Sequence, residues 1–442
     1  MNSPLSILHP LNVTILDHKQ DDHDYSFKVL TPEPTCCEAC GSIGSLVKFG
    51  KDDQRYMDVP MHMKRVALWV VRQRYRCGSC GGTFRPKLRD MDDKRMMTKR
   101  LVEYVELAVM ERTNLNVAQE TGLDEKTVRQ ILDDYIQRHE KDHKPATPVW
   151  LGIDEVFLGK KYRATITNLQ HNTVIDMLKD RYQPTIKNYI LSLDRSKIEV
   201  VCTDMYDQYR RAVKQTLPHA FLVTDKFHVV AKANDAVESI RKTMRKGLPV
   251  AKRTTLKNDR LLLLMRERDL WPEARMVVET WTNQFPLLGN AYRLKESFYT
   301  IYDAKDAKEA KERYAAWRAG IPADQEAIWE FVTGFMSRWE KEVFNYFSLE
   351  TRVTNAFTES ANRLIKDKQR SARGLSFEVC RAKILFAQKH KIVKPKPKKQ
   401  SPFEGMGRMT WGMMTDFDFE EEEIDYGVPA STVAALFERG DV

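Results

Sequence analysis

The pattern of apolar and polar positions changes character twice along the chain. Residues 61–77 read MHMKRVALWVVRQRYRC, a Val- and aromatic-rich run that predicts a β-strand. From Thr98 onward the apolar residues recur at helical spacing. From residue 149 short apolar runs alternate with amphipathic stretches, which is typical of an α/β region. The pattern therefore predicts a multidomain α+β protein.

Paired cysteines indicate a metal site in the β-rich N-terminal part. Two C-x2-C pairs lie within the first 80 residues, and zinc needs four such soft ligands for a closed structural site. The predicted Zn²⁺ ligands are Cys37, Cys40, Cys77 and Cys80. The separation between the pairs requires a hairpin, and we expect Gly41 and Gly78 to help the backbone turn toward the metal. Cys36 remains an alternative to Cys37, although its spacing suits a knuckle less well.

Residues 116–132, NVAQETGLDEKTVRQIL, have the spacing of a helix-turn-helix. Ala118 lets two helices approach, Gly122 permits a left-handed turn, and Val128 anchors the second helix on the core. Asp124 is expected to cap that second helix. The residues that face outward, where DNA would lie, are Lys126, Thr127, Arg129 and Gln130. A plain helical hairpin has the same pattern, so the DNA-binding interpretation depends on the motif's neighbours.

The α/β region has a definite order of elements. Residues 149–160, VWLGIDEVFLGK, predict a strand that carries Asp154, and KKYRATITNLQHNTVIDMLKD predicts two more strands around a Gln-His-Asn turn. The amphipathic helix QPTIKNYILSLD precedes a buried strand that ends in Asp204. A helix and a fifth strand, HAFLVTDKFHVV with Asp225, follow. This is a ribonuclease-H-like order, in which the first and fourth strands are neighbours.

Three carboxylates from this region are candidates for chemistry. Asp154 and Asp204 should meet at adjacent strand ends, and Glu359 lies on a predicted helix, RVTNAFTESANRLIKDKQRSARG, that packs across the sheet. Asn362, Arg363 and Lys366 stand at i+3, i+4 and i+7 on the Glu359 face. Such a triad can hold two divalent cations, Mg²⁺ or Mn²⁺, ~3.5–4 Å apart, for an in-line displacement.

Asp225 is the rival to Asp204, because it also ends an apolar strand. A lone aspartate in that position is usually a turn former. In the predicted order the strand of Asp225 lies further from the first strand than the strand of Asp204 does. We therefore expect Asp225, with Lys226 and His228, to support the metal ligands rather than to bind the metal.

The predicted division of the chain includes a long helical insertion, which contains five of the eight tryptophans. We expect those tryptophans to form a core rather than to stack on bases. The predicted domains are a zinc-binding module at 1–95, a helix-turn-helix at 96–145, a first core part at 146–232, an all-helical insertion at 233–350, a second core part with the Glu359 helix at 351–390, and a basic linker with an acidic tail at 391–442.

Charge is distributed unevenly along the chain. Between residues 360 and 400, thirteen lysines and arginines stand against two acidic residues. Such a basic stripe is the electrostatic signature of phosphate-backbone binding, and its candidate contacts are Arg363, Lys366 and Arg370. No run approaches the ~20 apolar residues that cross a bilayer, and the N-terminus lacks a signal-peptide pattern. We expect a cytoplasmic protein without membrane partners.

These motifs together resemble the insertion-sequence L-three family of DDE transposases. The resemblance covers nearly the whole chain: the knuckles with RYRC, the helix-turn-helix, GIDEVFLGK with YRAT, VVCTDM, DKFHVV, and TNAFTESANRLIKDKQR ahead of ARG. It implies that Asp154, Asp204 and Glu359 are the catalytic triad. It also implies double-stranded DNA partners, namely the element's terminal inverted repeats and target DNA, a homodimer or larger assembly, and association with the nucleoid. Two departures are Ser360-Ala361, where the family usually has Gly, and the acidic tail.

Two other functions share most of these residues. A DNA-binding regulator or domesticated relative would use only the zinc and helical modules. The triad favours the transposase over this binder, because a binder needs no converging carboxylates. A metal-dependent nuclease without strand transfer uses the same residues as the transposase, so only the reaction products distinguish those two.

Overall fold

The computed structural model describes residues 11, 13–371, 375–386 and 428–429, with only the backbone for Lys368, Arg370, Ser371, Val428 and Pro429. The basic residues after 386 and the predicted acidic tail lie outside the described residues. The described chain divides into two compact units. One runs to His143 and includes Phe386, and the other comprises Lys144–Leu385 with Val428–Pro429. None of the described helices is long and apolar enough to span a bilayer.

The first unit is built on one sheet that contains seven of the described strands. These strands are β1 (Thr14–Gln20), β2 (Asp24–Leu30), β3 (Leu46–Met61), β4 (Lys64–Cys77), β5 (Thr83–Phe84), β6 (Met91–Asp92) and β7 (Met97–Thr98). Their order is β1-β2-β4-β3-β7-β6, with β5 beside β4. β3 and β4 form a long antiparallel hairpin that pairs Leu46 with Cys77. The predicted hairpin between the cysteine pairs is therefore confirmed, whereas β1 and β2 were not predicted.

Three helices follow this sheet: α1 (Lys99–Glu111), α2 (Asn114–Thr121) and α3 (Glu125–Asp142). Thr98 caps α1 through its side chain, in agreement with the predicted start of helical structure there. Gly122 joins α2 to α3 with a φ of 72°, a left-handed conformation that favours glycine. Asp124 caps α3, and Val128 is fully buried. The predicted local roles of Gly122, Asp124 and Val128 are confirmed.

The second unit contains a mixed sheet. Its described strands are β8 (Trp150–Leu158), β9 (Lys161–Asn168), β10 (Thr173–Leu178), β11 (Val200–Thr203), β12 (Phe221–Thr224) and β13 (Val428–Pro429), in the order β12-β11-β8-β9-β10-β13. β8, β9 and β10 form an antiparallel meander, while β11 runs parallel beside β8 and β12 parallel beside β11. The predicted adjacency of the first and fourth strands is confirmed. α4 (Gln183–Leu191) and α5 (Asp207–Thr216) bury residues against this sheet.

Helices fill the chain between β12 and the helix that carries Glu359. They are α6 (Lys226–Lys246), α7 (Val250–Asn258), α8 (Arg260–Leu264), α9 (Pro272–Gln284), α10 (Pro286–Thr300), α11 (Ala307–Ala319), α12 (Glu326–Arg338) and α13 (Glu340–Asn345), followed by α14 (Ala356–Ser371) and α15 (Phe377–Leu385). The fifth strand ends at Thr224, so the prediction of a strand through DKFHVV was wrong. Val229, Ala233 and Val237 recur at helical spacing and are buried in the helical core, which makes this segment the start of α6.

The tryptophans of this helical region behave as predicted with one exception. The buried ones are Trp281, Trp317, Trp329 and Trp339. Trp271 is 51% exposed, so its assignment to the core was wrong. It stands at the N-terminal cap position of α9, ahead of the helix face that packs inward.

Candidate active site and cysteine cluster

Asp154 is held in one orientation within the sheet of the second unit. It lies on β8 opposite Thr165 of β9 and is only 5% exposed. The Nδ2 of Asn362 donates to its Oδ2 at 2.9 Å, and the Thr165 hydroxyl donates to the Oδ1 of Asn362 at 2.6 Å. Burial raises the pKa of Asp154 to about 6. Asn362 of α14 therefore positions a carboxylate whose charge is already disfavoured by its surroundings.

Asp204 leaves the carboxyl end of β11, the strand beside β8. Its side chain is buried, and its Oδ1 has no hydrogen-bond partner among the described residues. Burial first, and then the negative charge of Asp154, raise the pKa of Asp204 to about 7. A buried carboxylate oxygen without a donor is costly, and a bound cation would satisfy it.

Asp225 ends the next strand, β12, but both of its oxygens accept hydrogen bonds from the protein. The backbone N–H of Asn355 donates to Oδ1 at 2.9 Å, and Oδ2 lies 3.2 Å from the Nδ1 of His228. The hydrogen bond to Asp225, reinforced by the charge of Asp204, raises the pKa of His228 to about 9. Asp225 thus orients an imidazole, in contrast to Asp204, whose Oδ1 is not engaged.

Glu359 lies in the first turn of α14, partly exposed, with its Oε1 3.7 Å from the Nδ1 of His228. Burial raises the pKa of Glu359, and the charge of Asp225 adds to this effect. The fourth carboxylate of the site therefore comes from a helix rather than from a strand end.

The close packing of α14 against β8 depends on Gly152. A Cβ at this position would lie 2.2 Å from the Oγ1 of Thr167 and 2.8 Å from that of Thr358. These two hydroxyls lie 2.7 Å apart, and the Thr358 hydroxyl donates to the Oδ1 of Asn355 at 2.6 Å. The Nδ2 of Asn355 donates in turn to the carbonyl oxygen of Ile153 at 3.2 Å. This buried polar seam fixes α14, and with it Glu359, over the sheet.

The described atoms of the carboxylate site that could hold a cation fall into two overlapping groups. Asp154, Asp204 and His228 each offer one atom within 4.8 Å of the others, and so do Asp225, His228 and Glu359. The expected trio of Asp154, Asp204 and Glu359 is thus joined through His228. From the sequence alone, His228 is expected only to support the metal ligands. The D-x-x-H spacing at the start of a helix, which places both side chains within one turn, is the signal that indicates its position.

The cysteines form a separate cluster in the first unit, with the sulfur atoms of Cys37, Cys40, Cys77 and Cys80 all within 4.8 Å of one another. The Sγ atoms of Cys37 and Cys80 lie 3.9 Å apart, and those of Cys40 and Cys77 lie 3.7 Å apart. A tetrahedron of Zn–S bonds has edges of about 3.8 Å. The Ser45 hydroxyl, and then the backbone N–H of Cys80, lower the pKa of Cys77 to about 6. The geometry of the four sulfurs fits a structural zinc ion.

The glycines that shape the two knuckles differ in part from those predicted. Gly41 and Gly81 have a φ of 72°, and each directly follows the second cysteine of its pair. Gly78 lies in the turn that follows Cys77, but its φ is not positive, and its N–H donates to the carbonyl oxygen of Ser45 at 2.7 Å. Cys36 lies outside the four-sulfur cluster.

Comparison with known proteins matches both of these regions to one kind of protein. Residues 151–384 match the ISL3-type family described as transposase. The chain belongs to the ISL3 family of transposases. Residues 33–80 match the zinc-finger of the transposases of IS204, IS1001, IS1096 and IS1165. The transposase for insertion sequence element IS1001 of Bordetella parapertussis is 26% identical over 249 residues, which cover 54% of this chain and 60% of that relative.

The basic residues that were expected near the carboxylates of this ISL3 family member do not all lie beside them. The ammonium of Lys226 lies 5.5 Å from the centre of the Tyr302 ring, and burial lowers the pKa of Lys226. On α14, Arg363 is exposed and Lys366 is partly exposed, close enough to lower the pKa values of site carboxylates. The side chain of Arg370 lies outside the described residues. Among the described side chains, Arg363 and Lys366 of α14 therefore lie close to the carboxylates, and the charge of Arg181 also acts on Asp204.

The residues of α3 that were expected to face DNA in this family member are not equally available. The Thr127 hydroxyl donates to Asp124 at 2.6 Å as part of the helix cap. Arg129 is exposed but pairs with Glu125 at 2.8 Å. Lys126 is exposed and, within the described residues, has no such partner.

Proposed function

We propose that the protein is a DDE-type DNA transposase, which binds the ends of an insertion sequence and then cleaves and joins DNA. The observation that carries this proposal is the convergence, around His228, of two buried carboxylates from β8 and the end of β11 with a partly exposed carboxylate from α14. One of the buried carboxylates has an oxygen without a partner among the described residues. The order of β8 to β12 supports a ribonuclease-H-like core for this chemistry. Membership of the ISL3 family supports the same reaction class.

We assign Asp154, Asp204 and Glu359 as ligands of Mg²⁺ or Mn²⁺. Carboxylate oxygens are the donors that these hard cations prefer, and the partnerless Oδ1 of Asp204 supports the fit. When bound, two such cations lower the pKa of an attacking water or 3′-hydroxyl and neutralise the leaving oxygen.

The protein's own residues prepare the site for that chemistry. Asn362 orients the carboxylate of Asp154 through its Nδ2, and Asp225 orients His228 between the two groups of candidate ligands. Burial of Asp154 and Asp204 keeps water away, which strengthens every electrostatic interaction in the site. His228, when protonated, offsets the mutual repulsion of these carboxylates.

The remaining modules would deliver DNA to this site. We propose that α2 and α3 act as a helix-turn-helix, with Lys126, Thr127 and Arg129 near base edges or phosphates. Arg363, Lys366, Arg370 and the basic residues after them would follow the phosphate backbone. Work on two element ends requires two active sites, so we propose at least a homodimer that acts on DNA of the nucleoid.

The decisive experiment incubates the purified chain with Mg²⁺ and DNA that carries the element's own ends, and sequences the products. We expect Asp154→Ala, Asp204→Ala and Glu359→Ala to abolish cleavage without weakening end binding, because they remove metal ligands rather than DNA contacts. Asp207→Ala is the control, because Asp207 is an exposed aspartate at the start of α5 that pairs with Arg210.

Each other outcome points to a different conclusion. Loss of cleavage in Asp225→Ala with cleavage retained in Asp204→Ala would mean that the second ligand is misassigned. Cut ends that are never joined to target DNA would indicate a nuclease. End binding without any cleavage would indicate a DNA-binding regulator.

A further inference from the structure

The β3–β4 hairpin carries an exposed surface close to the cysteine cluster. Side chains alternate along β4, so that Tyr75 is buried while its neighbours on either side are exposed. Together with two exposed apolar residues of β3 they form what we call the Phe49 face. It consists of Val47, Phe49, Arg74 and Arg76.

A β-bulge places Phe49 on this face. The pairing of β3 with β4 shifts register between Lys48 and Lys51, so that Phe49 and Gly50 together stand opposite Arg74. Gly50 has a φ of 87°, and its carbonyl oxygen accepts a hydrogen bond at 2.8 Å from the Nε2 of Gln73. Bulges of this kind redirect a side chain, and here the Phe49 ring remains 48% exposed.

Two guanidinium groups lie over the Phe49 ring. The Cζ of Arg74 lies 5.7 Å from the ring centre, and the Cζ of Arg76 lies 6.0 Å from it. Arg74 also donates to the hydroxyl of Thr83 at 3.0 Å. Stacking on an aromatic ring holds a guanidinium in place, which lowers the entropy that its next hydrogen bond would cost.

Neither of these arginines makes an ion pair with a carboxylate in the described part of the chain. Other basic side chains of the same unit do: Arg65 pairs with Asp24 at 2.6 Å, and Arg85 pairs with Asp52 at 2.6 Å. The Phe49 face therefore presents two preoriented positive charges whose electrostatic partner is not supplied by the surrounding sheet.

We propose that the Phe49 face binds the sugar-phosphate backbone of duplex DNA, with Arg74 and Arg76 each contacting a phosphate. The planar guanidinium fork matches phosphate oxygens, and Val47 and Phe49 offer apolar surface for the sugars. Because these contacts reach no base edge, the face contributes affinity and orientation rather than sequence preference. This inference rests on the proposed DNA-binding function and assigns part of it to the zinc-containing module.

The test measures the affinity of the full-length chain for end-carrying and random duplexes across a range of salt concentrations. Each phosphate contact contributes ~0.9 to the slope of log affinity against log salt, so Arg74→Gln with Arg76→Gln should reduce the slope by about 2 on both DNAs. Phe49→Leu keeps an apolar side chain but removes the ring. It should therefore lower the affinity for both DNAs equally, and by less than the double arginine variant does. Arg85→Gln is the matched control, and we expect it to leave the slope unchanged because Arg85 already pairs with Asp52.

Zinc content and melting temperature are measured on every variant. If the double variant loses zinc, the single variant Arg76→Gln tests the proposed phosphate contact instead, and we expect it to reduce the slope of log affinity against log salt by about 1. An unchanged slope in a zinc-loaded arginine variant overturns the inference, and so does a change in oligomer size with unchanged DNA binding, which would assign the face to a second copy of the chain. Failure of the unsubstituted chain to bind any DNA would instead overturn the proposed function.

Discussion

The cysteine cluster and the carboxylate cluster are built in opposite ways. The four sulfurs come from two short knuckles, and Cys40 and Cys80 are exposed. The carboxylates come from β8, β11, β12 and α14, which are far apart in the sequence, and Asp154, Asp204 and Asp225 are buried. The cysteine cluster needs the same local turn at each cysteine pair and a hairpin that brings the two pairs together. The carboxylate cluster needs a complete sheet and a helix, α14, that packs across it.

This difference implies opposite relations between metal and folding. The cysteine knuckles contribute no residue to the apolar core of their sheet, so we expect their order to depend on the metal. The carboxylates lie between two large apolar cores that do not involve a metal. We therefore expect zinc to hold the knuckles of the first unit together, whereas in the second unit the protein holds charged groups together against their repulsion.

The largest effect should follow removal of zinc. Structural zinc contributes ~10–16 kcal/mol in zinc-finger peptides, so Cys77→Ser should unfold the knuckles, leave the second unit folded and weaken recognition of element ends. Metal analysis and limited proteolysis of the purified chain would measure this. Cys36→Ser is the control, because Cys36 lies outside the cluster and its loss should leave the zinc content unchanged. A zinc-free chain with folded knuckles would contradict the prediction.

The carboxylate cluster should make the second unit less stable as pH rises when Mg²⁺ and Mn²⁺ are absent. The folded-state pKa values of Asp154 and Asp204 are raised to about 6 and about 7, so the folded chain binds protons that the unfolded chain releases. The raised pKa of His228, about 9, has the same sign. Stability should fall by on the order of a few kcal/mol between pH 4 and pH 9, measured as the melting temperature.

Two further measurements sharpen this prediction. Asp204→Asn should flatten the pH dependence, because it removes the carboxylate with the most strongly raised pKa of the pair. Mg²⁺ should raise the melting temperature more at pH 8 than at pH 5.5, because a cation binds the deprotonated carboxylates. If the melting temperature of Asp204→Asn depends on pH as strongly as that of the unsubstituted chain, the carboxylate cluster is not the cause of the pH dependence.

A single methyl group at Gly152 should disturb the second cluster without touching a carboxylate. The added Cβ would overlap the hydroxyls of Thr167 and Thr358, so Gly152→Ala should cost ~1–3 kcal/mol of unfolding free energy and lower cleavage by displacing Glu359. Chemical denaturation and cleavage rates would measure both effects. Gly334→Ala is the matched control, because its Cβ would have no neighbour within 4 Å. Equal effects from the two variants would show that the packing at β8 is not tight.

The smallest effects should come from the α3 surface of the first unit. Replacing Lys126, Thr127 or Arg129 by Ala should reduce discrimination between element ends and random DNA by ~1–3 kcal/mol for each true base contact.

Neutralising lysines between Arg363 and Lys399 should lower the affinity for end-carrying and random DNA alike, and should flatten the dependence of that affinity on salt. Titrations of both sets on both DNAs test this. If the α3 variants and the lysine variants lose specificity equally, α2 and α3 form a structural hairpin rather than a DNA-reading motif.

Short-range features of this chain are determined by the sequence itself. The C-x2-C spacing, the strand before Cys77, and the turn and cap at Gly122 and Asp124 each depend on residues within a few positions of one another. Backbone conformation and local hydrogen bonds set such features, so a pattern predicts them before the fold is known. The order of strands around Asp154 and Asp204 follows for a related reason, because connection rules leave few topologies.

The tertiary structure decided which distant side chains share the site and how they are held. His228 lies between the carboxylates because α6 begins directly after β12, and Lys226 contacts Tyr302 of the helical region instead. Asn362 reaches Asp154 because Gly152 lets α14 approach β8. These outcomes depend on packing between elements far apart in sequence, where steric fit and burial set both neighbours and pKa values, and no local pattern encodes them.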